Sequence, residues 1–239
     1  MLESIWVNVL SAGVCAALGL LGTWLAARLP NRALWKLSDP ARLTVCVAES
    51  AAIDTGKYIR KTTGIGQVRA LAVIAPSLTR AYGRIDTHHI QLAGEALGPR
   101  AEGNLICLGG AKNNARTRDV LAALAEAGFA VPTMDGSTIC WPGGEGCVSY
   151  EAQAEQGTVL RDYGLVIRAP NPFGTDSTVI VLAGASTYGA VAAARYFVEQ
   201  CKFRRGWFAA VVSSQVRDDH VCPPEIVRIE RLARPGVKP

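Results

Sequence analysis

Residues 177–201 read STVIVLAGASTYGAVAAARYFVEQC, and this stretch decides the architecture. STVIVLAG (177–184) is apolar over nearly its whole length, as a strand buried on both faces must be. ASTYG (185–189) is a corner of small and hydroxyl-bearing residues, and AVAAARYFVEQC (190–201) has the length and composition of a helix. Upstream the same order occurs twice. GNLICLGG (103–110) leads through AKNNART (111–117) into RDVLAALAEAG (118–128). LTVCVAES (43–50) leads through a long loop containing TTGIG (62–66) into QVRALAVIAPSLTRAYG (67–83). A fourth apolar run, WFAAVVSSQ (207–215), follows the third helix.

Apolar strands alternating with helices of ten or more residues predict an α/β, Rossmann-like domain with a mostly parallel sheet covered on both faces. The segment between the second and third units differs. STICW (137–141), GCVSYEAQ (146–153) and YGLVIRAPNP (163–172) are short strand candidates around PGGEG (142–146). They predict a small antiparallel insertion or sheet edge, the last strand ended by Pro170 and Pro172 because proline cannot donate into a ladder. EIVRIERLA (225–233) alternates apolar and charged residues and adds one edge strand.

At the other end of the chain, IWVNVLSAGVCAALGLLGTWLAA (5–27) contains no Asp, Glu, Lys, Arg or His. A helix of that length spans a hydrocarbon layer of roughly 30 Å. Glu3 precedes it, and Arg28, Arg32, Lys36 and Arg42 follow. Basic residues stay on the cytoplasmic side, so the segment is expected to be a single-pass inner-membrane anchor with the N-terminus out. A secretory signal would show the reverse charge order and a shorter apolar run. The expected organisation is an anchor over 1–28, a juxtamembrane connector over 29–41 and a cytoplasmic domain over 42–239. In the connector, Trp35 joins Trp24 as an interfacial anchor. On a helical wheel Asn8, Ser11, Ala12, Cys15, Gly19, Gly22 and Thr23 share one face, the small and weakly polar surface over which membrane helices approach. A homo-oligomer is therefore expected, with the bilayer as the other partner.

The remaining composition is that of one globular domain: 49% hydrophobic, 19% charged, net charge +5. No basic stripe is interleaved with aromatics, so nucleic acid is not an expected partner. None of the seven cysteines lies in a CxxC pair or a zinc-ligand spacing, and no metal or cofactor is expected. Free thiols in apolar strands fit a reducing compartment.

In open α/β sheets a ligand sits beyond the carboxyl ends of the strands, where helices begin. Gly109, Gly110, Lys112, Asn113, Asn114 and Thr117 occupy one such corner; Gly184, Ser186, Thr187, Tyr188 and Gly189 occupy another. Glycine lets a ligand approach the backbone, Ser186 and Thr187 suit a phosphate, and Tyr188 suits a base. Gly64 and Gly66 offer a third wall, and Arg168 and Asn171 are placed to reach a phosphate or close the pocket. The same residue types also serve ordinary turns and helix caps. Neither loop matches a Walker A or GxGxxG pattern. Catalytic signals are sparse. His88 and His89 are adjacent, expected as one surface and one core residue. Asp218, Asp219, His220 and Cys222 fall in a turn-like stretch before Pro223-Pro224, and Glu145 and Glu151 form no evident pair.

LICLGGAKNNARTRDVL (105–121) and VIVLAGASTYGAVAAARYF (179–197) resemble the paired strand–glycine loop–helix elements of archaeal S-layer-type domains, though a lattice role does not suit a basic flank that holds the domain inside. The overall layout is similar to membrane-anchored effectors of bacterial nucleotide-signalled antiviral defence. That resemblance implies a cytoplasmic sensor that binds a nucleotide-like ligand and signals through clustering of its transmembrane helix. The alternatives are a membrane-tethered nucleotide or nucleoside hydrolase and a non-catalytic scaffold.

Overall fold

The computed structural model describes residues 2–83, 85–143, 146–202 and 204–233, with side chains of the first helix described from Gly13 onward. Glu145 and the side chains of Asn8, Ser11 and Ala12 therefore lie outside what is described.

The fold is mixed α/β. Strands β1 (Leu43–Val47), β4 (Ile90–Leu92), β5 (Asn104–Leu108) and β11 (Thr178–Gly184) run parallel in the spatial order β4-β1-β5-β11. Beyond β11 the sheet continues with β10 (Thr158–Pro170), which is antiparallel, and β12 (Phe208–Arg217), antiparallel to β10. The short β13 (His220–Val221) and β14 (Glu225–Arg231) line the far side of β12, and β9 (Gln153–Glu155) makes a hairpin with β10. The sheet is thus mixed, where the sequence pattern suggested mostly parallel. The cause lies in YGLVIRAP, which is a central strand and not an edge. Val166 faces one side of the sheet and Leu165, Ile167 and Ala169 the other, all fully buried. A strand apolar on both faces can belong to either sense of pairing, and Pro170 ends it as expected.

The same alternation runs through every central strand. Val45, Val47, Ile106, Leu108, Ile180 and Leu182 face α2 (Ile65–Tyr82) and α4 (Thr187–Gln200). Cys46, Leu105, Cys107, Val179 and Val181 face α3 (Ala115–Glu126) and a separate antiparallel sheet of β6 (Thr133–Asp135), β7 (Thr138–Gly143) and β8 (Gly146–Tyr150). Two apolar cores therefore flank the sheet. The long loop expected after β1 contains an exposed hairpin, β2 (Ser50–Asp54) and β3 (Ile59–Thr62). EIVRIERLA supplies β14 at the sheet edge, as its alternation predicts. His88 and His89 sit on a short 3-10 turn and not a strand, with only His89 buried.

The N-terminal helix α1 runs unbroken over Leu2–Trp35 and includes the window Gly13–Trp35, long and apolar enough to cross a membrane. From Gly13 to Ala27 every side chain is exposed. The expected connector is absent up to Trp35, because the last two turns of α1 pack into the domain. Pro30 cannot donate to the carbonyl of Ala26, yet the helix continues because its end is held from outside. Leu34 and Trp35 are fully buried. The Trp35 indole N–H donates to Ser77 Oγ (3.0 Å), and the ring meets Phe197 edge-on with centroids 4.9 Å apart. Ser77 in turn donates to Asn31 Oδ1 (2.8 Å). Trp35 is a core residue and not an interfacial one.

These contacts also fix polarity. Arg32 Nε donates to Ala81 O (3.0 Å), Arg28 lies beside Gly83, Thr178 Oγ1 donates to Lys36 O (2.7 Å) and Asn104 Nδ2 to Asp39 O (2.7 Å). All of these mark the end of the sheet where the parallel strands begin. The glycine corners lie at the opposite end, separated by the length of α2, about 25 Å at 1.5 Å per residue. Trp35→Ala is expected to cost about 3–5 kcal/mol of stability. A chain beginning at residue 41 should melt well below one beginning at residue 29. Denaturant unfolding of both chains checks this, and equal midpoints would show that α1 adds nothing to the core.

Candidate functional site

Beyond the ends of β5 and β11 three loops converge on a hollow of about 180 Å³. Gln67, from the first turn of α2, forms one wall. Gly110, Lys112 and Asn113 form the second, and Gly184, Ala185, Ser186 and Thr187 the third. The β6–β7 turn, Gly136 and Ser137, hangs over the opening, a contribution that nothing in the sequence announced. The two principal corners do face one another: a Cβ on Gly110 would stand 3.0 Å from the carbonyl oxygen of Gly184. Gly66 packs against Thr187, and Gln67 beside it, not Gly64 or Gly66, lines the hollow.

Within the second wall, structural and open roles separate by burial. Gly109 adopts φ +109°, which an L side chain rarely does, and so reverses the chain after β5. Asn114 is wholly buried and caps α3. Its Oδ1 accepts from Thr117 N (3.0 Å), and its Nδ2 donates to Leu108 O (2.9 Å) and Cys46 O (3.1 Å). Thr117, equally buried, donates to Gly109 O (2.8 Å). These two residues build the corner and do not present donors to a ligand. Lys112 and Asn113 are exposed on its rim.

The third wall is organised by a residue that the glycine-corner pattern does not mark. Asp162, on β10 and fully buried, aims its carboxylate at the start of α4. Oδ1 accepts from Tyr163 N (2.8 Å) and Ser186 N (3.1 Å), while Oδ2 accepts from Ser186 Oγ (2.6 Å) and Gly189 N. Burial pushes the Asp162 carboxyl above its ordinary range, and the hydrogen bonds from Ser186, Tyr163 and Gly189 counter that in part. The positive end of the helix dipole, which would attract an anion, is therefore already matched by an internal carboxylate. A charged residue inside the apolar run RDYGLVIRAP was the available signal. Gly189 is needed for close approach, since a Cβ there would lie 2.1 Å from the Tyr163 carbonyl oxygen.

Three expected site residues lie elsewhere. The Tyr188 hydroxyl donates to Asp219 Oδ1 and does not line the hollow. Asp219 and Asp218 both have positive φ and form the two-residue turn between β12 and β13, so the acidic cluster there is a hairpin turn. Arg168 and Asn171 stand at the far end of β10. Arg168 is fully buried. Its Nη1 donates to Leu34 O (2.7 Å), and its Nη2 to Arg204 O and Gly206 O (both 2.7 Å). Asn171 Nδ2 donates to Ala101 O (2.7 Å) and Gly103 O (2.6 Å). Antiparallel β10 runs away from the corner, so neither residue can close it; both are spent on backbone carbonyls.

Among the described residues no three His, Cys, Asp or Glu side chains converge as metal ligands would. Chemically, the hollow offers one ammonium, two carboxamides, hydroxyls from Ser137 and Thr187, and the first turn of α2, which has no side-chain cap. No protein-family model matches the chain, and no curated protein is significantly similar to it.

Asp162→Ala leaves the N–H groups of Ser186 and Gly189 without their acceptor, and is expected to cost roughly 2–4 kcal/mol. Asp162→Asn should cost less and should change the pH dependence. A folded-state pKa above the unfolded value means that the native chain binds the proton more tightly. The wild-type contribution is therefore fully present below the unfolded pKa and is lost as pH rises through the folded one. The Asn variant lacks this slope, which thermal melts between pH 4 and pH 7, about the span of a raised carboxyl, would detect.

Proposed function

We propose that this chain is a membrane-anchored ligand-binding protein. On this reading α1 crosses the inner membrane with its N-terminus outside, and a cytoplasmic, Rossmann-like domain holds a nucleotide-like ligand at the corner lined by Gly110, Asn113 and Thr187. The observation that carries it is the meeting of three loops around one polar hollow, at the end of the sheet opposite the apolar helix. The basic residues Arg28, Arg32 and Lys36 at the junction support the orientation.

The size of the hollow refines the ligand. Sites that enclose a drug-sized molecule run to roughly 300–1,000 Å³, so 180 Å³ admits one polar moiety and leaves the remainder outside under the β6–β7 turn. An anionic group would pair with Lys112 and the uncapped first turn of α2, not with α4, whose start Asp162 occupies. The apolar side chains Ile53, Tyr58, Ile59, Ile65 and Val68 are exposed over the β2–β3 hairpin and the start of α2. They favour association of domains beside this site and so support signalling through a change in oligomerisation. Such signalling requires the ligand to bind one assembly more tightly than the other.

Calorimetric titration of the full chain in nanodiscs against mono-, di- and cyclic nucleotides tests the reading. Lys112→Ala is expected to weaken a phosphate-bearing ligand about 10- to 100-fold, the worth of one charge-assisted hydrogen bond. Asn113→Ala should weaken it less. Absence of heat with every nucleotide would remove the nucleotide assignment.

A further inference from the structure

The end of the domain from which α1 departs carries a second feature, independent of the glycine corners. Where α4 ends, β12 begins and β14 finishes, a hollow of about 440 Å³ is lined by Gln200, Arg204, Arg205, Phe208 and Arg231. Among the described residues no carboxylate lines it. The nearest acids in sequence are already engaged, Glu199 with Arg195 (3.4 Å) and Glu230 with Arg228 (2.7 Å). Among the described residues no acidic side chain pairs with any of the three arginines. Three unpaired cations around one concavity repel one another, and an anion seated between them removes that cost.

The hollow is also held at a defined height. Arg168 ties the loop to α1 through the carbonyls of Leu34, Arg204 and Gly206. Phe208 lies beneath the guanidinium groups of Arg168 and Arg204, 5.0 and 5.7 Å from its ring centre. Leu34 is six residues beyond Arg28, the first charge after the apolar segment, a rise of about 9 Å along the helix. The polar headgroup layer of a bilayer is roughly 5–8 Å deep on each side. Arginine side chains reach down from such a height into the interface. At the same end of the sheet Arg42, His88 and Arg100 line another hollow, so the face towards α1 is basic beyond this one site.

We propose that Arg204, Arg205 and Arg231 bind the phosphate headgroup of an anionic phospholipid in the bilayer that α1 crosses. The proposal rests on the anchored reading above. Guanidinium forks match phosphate oxygens two at a time, which a lysine point charge does not. Each cation at an anionic surface strengthens the attraction roughly fivefold. Lipid capture at this height also sets how the domain stands on the membrane, which the single helix leaves free to rotate.

The test uses the full chain in nanodiscs of phosphatidylcholine, alone or doped with phosphatidylglycerol, followed by native mass spectrometry of the lipids it retains. Wild type is expected to retain phosphatidylglycerol several-fold above its bulk share, and R204Q/R205Q/R231Q to retain it at the bulk share. The lysine triple variant should keep a weakened preference, which separates lost charge from lost fold. Absence of preference in the wild type, equal preference in the glutamine variant, or equally tight capture of inorganic phosphate by the detergent-solubilised chain would each overturn the lipid assignment. Should the wild type fail to enter neutral discs at all, the anchor itself falls and this site with it. Entry without anionic preference removes the site alone.

Discussion

A buried arginine holds the two parts of this molecule together. Arg168 sits on the central antiparallel strand with its charge fully out of water, and burial lowers its pKa to about 10, still far above neutrality. An unpaired charge there would be prohibitive, and among the described residues no carboxylate compensates it. Instead its N–H groups spread over carbonyls at two places. One is the end of α1, where Leu34 has no partner further along the helix; the other is the Arg204–Gly206 loop. Carbonyls at a helix C-terminus carry partial negative charge, so the guanidinium completes the helix electrically while binding it mechanically. Removing it would orphan those carbonyls together with the cation-stacked Phe208 and loosen the seat of Trp35.

The opposite end of the domain is built on the complementary arrangement. There a buried carboxylate, Asp162, satisfies the amide groups at the start of α4. One helix start is closed by an internal anion and one helix end by an internal cation, and each of these groups projects from β10. This strand therefore does more than fill the sheet. It orders the helix that faces the hollow and the helix that leads away from the domain, from positions six residues apart.

Much of the architecture was legible because burial on both faces leaves a one-dimensional trace. LTVCV, NLICL and TVIVLAG read as strands from composition alone, and each is one. The antiparallel sense expected of YGLVIRAP holds in β10, but its central position was not legible, since a short turn-bounded strand reads equally as an edge. Nor was the fate of LPNRALW: Pro30 and the flanking charges describe a helix end only if nothing downstream grips the chain, and that grip comes from Arg168, Ser77 and Phe197, distant in sequence. At the corner, glycine and asparagine marked where the chain turns, and the structure brings Gly110 against Gly184 as their pattern implied. What the pattern could not separate was a donor facing a cavity from one folded back on its own loop. Asn113 and Asn114 are adjacent and chemically identical. Asn114 is enclosed and caps α3, while Asn113 remains at the rim.

On the proposed reading two helices link the hollow to α1: α2, which brings Gln67 to the hollow and Ser77 and Ala81 to α1, and α4. The first turn of α4 carries Ser186 and Thr187, which line the hollow, and its last turns carry Phe197, which packs on Trp35 of α1. Both ends are fixed, one by Asp162 and one by the aromatic contact. Gly189 and Gly184 let the helix lie so close to the sheet that it has little room to move sideways. A closely packed element of this kind shifts as a unit or not at all. A ligand that contacts only Lys112 and α2 would leave α4 in place and bear on α1 through Ser77 and Ala81 of α2. One that competes with Asp162 for the Ser186 hydroxyl would release the start of α4 and alter the packing at Trp35. The coupling thus depends on which wall the ligand draws its hydrogen bonds from, more than on how tightly it binds.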